Sequence, residues 1–85
     1  MRLEEIKTEI EHMFYQRGGR IDAILLPTGD DRGVFFVVYT VEYSDNNNIS
    51  SVKLAEGIYE VRNDNVVITV NAGGLKVSVE FSGDY

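Results

Sequence analysis

The groups that could do chemistry in this chain of 85 residues are few in kind: one histidine, fourteen carboxylates, five tyrosines and no cysteine. Without a thiol there is no disulfide framework, thiolate zinc site, iron–sulfur cluster or cysteine nucleophile, and nothing points to an oxidising compartment. His12 lies on the polar side of an amphipathic segment with no placed Ser or Asp beside it, so neither a triad nor a metal site is expected there. Asp30-Asp31, and Asp45 with the three asparagines after it, could offer oxygen ligands to a hard cation. Neither has ligands at alternate positions around a central glycine, and Ile49 falls where the third ligand of the second loop would be, so both read as turns. General acid–base work needs a carboxyl whose pKa is raised by burial, whereas Asp22, Glu42, Glu60 and Glu80 alternate onto wet strand faces. Gly18-Gly19 and Gly73-Gly74 do not stand between a strand and a helix start, which excludes a phosphate loop. No enzymatic activity, cofactor or metal is expected, and a chain this short cannot enclose a pocket of about 300 Å³ or more while keeping a core.

One motif comes near a functional signature. Arg32-Gly33-Val34-Phe35-Phe36-Val37-Val38-Tyr39 agrees at five of seven defined positions with the R/K-G-F/Y-G/A-F-V-x-F/Y run of RNA-recognition motifs. Val34 stands where a base-stacking aromatic belongs and Phe35 where a small residue belongs. That domain also needs a second helix, and no helical period follows Gly18. A formal charge of −6 opposes phosphate binding as well. The segment is expected to be a buried central strand, with no direct nucleic-acid binding.

The elements that must position these groups follow from periodicity. Leu3, Ile6, Ile10, Met13 and Phe14 form one stripe at about 100° per residue, predicting a helix over 3–17 with acids in its first turns and a left-handed stop at Gly18-Gly19. From Arg20 the period becomes two and β-branched and aromatic residues dominate. Strands are expected over 21–26, 34–43, 49–54, 58–62, 65–71 and 75–81, the third and fourth being one strand if the chain only bends at Gly57. Residues 34–43 are apolar on both faces, as in an internal strand. Asn63-Asp64 is a two-residue hairpin signal. Every connection after the helix is too short for a parallel crossover. The expected fold is therefore α+β, one N-terminal helix packed on a curled antiparallel meander sheet of five or six strands, as a single domain over 1–85.

The amino end lacks the basic-then-apolar pattern of a signal peptide and no apolar run reaches a membrane span of about 20 residues, so the cytoplasm is the expected location. What remains is surface chemistry. Loop and strand-end carboxylates lie beside tyrosines, and Asp30, Asp31, Tyr39, Glu42, Tyr43, Asp45, Tyr59, Glu60 and Asp64 are the candidate partner-binding residues. In size, charge and lack of cysteine the chain is similar to bacterial immunity proteins and phage-encoded inhibitors of host defence, with no shared motif. The expectation is a small acidic inhibitor that occludes the basic surface of a nuclease or another nucleic-acid-handling protein, the acids standing where phosphates would lie. The alternative is an assembly subunit that forms a homo-oligomer through the apolar second strand or a sheet edge. On the helix, Thr8, His12 and Tyr15 share the side away from the apolar stripe and form a smaller candidate contact patch.

Overall fold

Alternating strand sequences joined by short turns can only fold back on themselves, and the chain does so four times. The computed structural model describes residues 3–43, 48–72 and 74–82, in the order α1 (Leu3–Met13), β1 (Arg20–Gly29), β2 (Arg32–Tyr43), β3 (Asn48–Arg62), β4 (Asn65–Ala72) and β5 (Leu75–Ser82). The five strands make one antiparallel meander in the order β1-β2-β3-β4-β5, open at both edges and not closed into a barrel.

The helix is shorter than its apolar stripe predicts. Ile6 and Ile10 are fully buried, but Leu3 and Met13 are left largely exposed. Phe14 and Tyr15 donate their N–H groups to the carbonyls of Glu11 and His12, a tighter three-residue turn that closes the helix early. Gly18 does take a left-handed φ of 86°, five residues after the helix end. The intervening segment lets the Tyr39 hydroxyl donate to the Arg17 carbonyl at 3.1 Å. Tyr39 thus packs beneath Gly18-Gly19, where a side chain on Gly19 would strike its ring.

The helix side of the sheet collects one alternate set from every strand: Ile21, Ala23 and Leu25, then Phe35 and Val37, then Ala55, Gly57 and Tyr59, then Val66, Ile68 and Val70, with Phe81 at the margin. Register explains why the third of these sets can include a glycine and still fill space. Phe35 pairs with Gly57 and Gly33 with Tyr59, so each ring lies over the glycine of the neighbouring strand. Residues 48–62 are one strand, which settles the alternative left open by sequence. Its irregularity is not at Gly57: Val37 pairs with Ala55 and Val38 with Lys53, leaving Leu54 as the extra residue of a bulge.

The first connection also differs from expectation. The expected strands over 21–26 and 34–43 leave a long connection between them, yet β1 continues past Pro27 to Gly29 and only Asp30-Asp31 separates the strands. Pro27 is tolerated because β1 is an edge strand, and the register shifts between Pro27 and Gly29. The Asn63-Asp64 turn forms as expected, closed by Arg62 and Asn65, with Asn63 at a φ of 57°. No helix of the described residues is long and apolar enough to cross a membrane.

Candidate functional site

The register divides the candidate residues between the two ends of the sheet. Asp30 and Asp31 turn the chain from β1 to β2, Glu60 pairs with Arg32, and Asp64 lies in the next turn at the same end. Glu42 and Tyr43 stand at the other end of β2, about 33 Å away for ten residues of extended chain. Asp45 lies outside the described residues, as does the side chain of Tyr43. One patch cannot hold both groups.

At the first end Asp30, Asp31 and Glu60 line a shallow cleft of about 250 Å³ together with Arg32 and Val61. The Asp31 carbonyl accepts the Val61 N–H at 2.7 Å, which ties the turn to β3. Glu60 is not free to offer its charge outward. The Arg62 guanidinium donates to it at 2.8 Å, and this hydrogen bond, with Arg32 adding a second positive charge, holds its carboxyl below the usual range. The cluster is therefore partly neutralised by its own arginines.

Tyr59 and Tyr39 are not the exposed anchors that sequence suggests. Tyr59 is only 2% exposed and belongs to the core, because its position on β3 alternates inward and its ring covers Gly33. Its hydroxyl has no hydrogen-bond partner among the described residues, and burial pushes its pKa up. Tyr39 also lies on the helix side, with its hydroxyl engaged by Arg17. On the helix, Thr8 donates its hydroxyl back to the Glu4 carbonyl, and Tyr15 stands beyond the helix end. Among the described residues no three His, Cys, Asp or Glu side chains converge as metal ligands would.

Sequence patterning understated the opposite face of the sheet. Its alternate set is Ile24 and Leu26 on β1, Val34, Phe36 and Val38 on β2, and Ile58 on β3. These are neighbours by register: Leu26 pairs with Val34 and Val34 with Ile58, while Ile24 pairs with Phe36. Ile24, Leu26 and Ile58 are each about half exposed, and no described element covers them. A shallow cleft of about 230 Å³ lies within this set, its lining including Val34, Phe36, Ile58 and Asn71. Asp22, Glu56 and Glu60 surround the apolar centre, Arg20 pairing with Asp22 at 2.8 Å and Lys53 with Glu56 at 3.2 Å. Lys53 also sits 5.9 Å from the centre of the Phe36 ring. The signal for this face was present in the two-sided apolar pattern of residues 34–41. What sequence could not say is that the single helix lies on the other side.

Fold and surface together define a small α+β domain with an uncovered apolar sheet face rimmed by charge. No family model matches the chain, and no solved structure matches it. It is 39% identical over 70 residues to the uncharacterized protein ORF85 of Acidianus filamentous virus 2 (isolate Italy/Pozzuoli), a match covering 80% of this chain and 82% of that protein. The chain belongs to the same family as this viral protein.

Proposed function

We propose that the protein is a non-enzymatic binding protein that acts by stoichiometric occlusion, and that its docking surface is the outer sheet face and not the loop carboxylates. The observation that carries this reading is the uncovered set Ile24, Leu26, Val34, Phe36 and Ile58 on a chain of charge −6. An apolar patch with a polar rim has the anatomy of a protein interface, and a half-exposed isoleucine in its centre is where binding energy concentrates. The net charge selects the partner: a basic protein, such as a nuclease or another nucleic-acid-handling protein, would be drawn in by the surrounding field and held by apolar contact. Asp22, Glu56 and Glu60, each paired with a neighbouring cation, supply the polar rim of that face. Asp30, Asp31 and Asp64 act at longer range from one end of the sheet, speeding encounter more than holding the complex.

Affinity capture with the tagged chain at low and high salt, with Ile58→Lys alongside, tests this. Retention of a basic protein that falls with salt and is lost in Ile58→Lys is the expected result. If low salt retains no basic protein, or Ile58→Lys retains it as well as the native chain does, the reading is wrong.

A further inference from the structure

The two edges of the sheet are built differently. On β1, the Glu11 carboxylate reaches from the helix to accept the Ala23 N–H at 3.0 Å, Pro27 has no N–H to offer, and the register slips next to it. These are devices that stop a strand from pairing with a further one. On β5 there is no proline, its pairing with β4 runs without a shift from Leu75 to Ser82, and no described element lies on its other side. Its helix-side residues form an open apolar stripe: Leu75 is 70% exposed, Val77 51% and Val79 37%.

We propose that β5 is a homodimerisation edge, occupied by β5 of a second copy of this chain in antiparallel register about a two-fold axis at Ser78. The sequence Leu75-Lys76-Val77-Ser78-Val79-Glu80-Phe81 is complementary to its own reversal. With Ser78 opposite Ser78 of the second copy, Lys76 stands opposite Glu80 and Glu80 opposite Lys76, two cross-strand ion pairs related by symmetry. On the helix side Val77 meets Val79 and Leu75 meets Phe81, so the exposed stripe of one copy continues that of the other and covers it. Backbone geometry agrees. Ala72 and Leu75 close the β4–β5 hairpin as a hydrogen-bonded pair, so Leu75, Val77, Val79 and Phe81 direct their backbone groups to β4. Lys76, Ser78 and Glu80 direct theirs to the open edge, as this register requires. One Glu80 oxygen accepts from Asn65 at 2.7 Å. The result is a continuous ten-stranded sheet, twice the five of one copy.

Charge reversal tests this register specifically. The native chain should sediment at twice its 9.6 kDa mass. Lys76→Glu and Glu80→Lys should each sediment as a monomer, because each sets like charges opposite one another. An equimolar mixture of the two single variants should recover the double mass as a heterodimer, and so should the chain carrying both changes. Ser78→Pro, which removes an outward N–H and leaves the β4 pairing intact, should also be monomeric with an unchanged circular dichroism spectrum. A native chain that is monomeric at about 100 µM would overturn the proposal, as would single variants that stay dimeric or a mixture that fails to associate. A dimer lost in Ile58→Lys but kept in Lys76→Glu would place self-association on the outer face instead.

Discussion

Removing one oxygen from the core should make the protein more stable. The Tyr59 hydroxyl is buried, with the residue 2% exposed, and it has no hydrogen-bond partner among the described residues. A hydroxyl withdrawn from water without a new partner costs about 1 to 3 kcal/mol. Tyr59→Phe removes that cost and gives up only the dispersion contacts of one atom, at roughly 0.1 to 0.2 kcal/mol each. The net expectation is a gain of about 1 to 2 kcal/mol, which raises the melting temperature of a domain this size by about 4 to 15 °C. The same group supplies a second signature. Burial raises its pKa in the folded state, so above about pH 10 the unfolded chain loses this proton before the folded chain does. Stability contributed by the protonated phenol is complete below the unfolded value and declines as pH rises through the folded one. Thermal unfolding followed by far-ultraviolet circular dichroism, at neutral pH and along an alkaline series, reads both effects. Tyr59→Phe should melt higher at neutral pH and lose less stability between pH 10 and 11. A variant that melts lower than the native protein and follows the same alkaline curve would show that the hydroxyl is bonded, and the account of Tyr59 as a filler of the space over Gly33 would fail.

Two further perturbations probe packing and charge. Gly57→Ala sets a methyl group against the Phe35 ring and the Thr69 carbonyl, so overpacking should destabilise by about 1 to 3 kcal/mol in urea unfolding, and a change under about 0.5 kcal/mol would contradict the described contact. The Glu60 carboxyl, followed by NMR titration, should ionise below the usual glutamate range and move up in Arg62→Gln. Any folding stability tied to this pair is present above the ordinary glutamate pKa and lost as pH falls through the lowered one, so an unmoved titration would remove Arg62 as its cause.

How much of this was legible beforehand depends on whether local pattern or neighbouring strands decide each feature. The meander, the Asn63-Asp64 turn and the internal position of residues 34–43 follow from alternation and short loops, and they form as the sequence implies. The helix end did not, because Met13 and Phe14 carry the apolar period onward while the chain closes the helix with a three-residue turn at Phe14 and Tyr15. The burial of Tyr59 was illegible for a related reason. In isolation Ala55, Gly57 and Tyr59 look like a weak strand bearing an exposed aromatic. Only the pairing of Gly33 with Tyr59 and Phe35 with Gly57 shows that each ring occupies the space a glycine leaves. The candidate site divides along the same line. Asp30, Asp31 and Asp64 do lie in turns as read, but which turns share an end is a property of register, and it separates Asp30, Asp31, Glu60 and Asp64 from Glu42.

The bond from Ala23 to Glu11 has a meaning beyond fastening the helix. A sheet with two open edges has a valency of two and can add copies without end, as fibres do. With a helix carboxylate and a proline blocking β1, the pairing proposed for β5 would give this chain a valency of one. Growth through its sheet would then terminate at a pair, and the Glu11–Ala23 bond that holds α1 in place would also set the ceiling on assembly size.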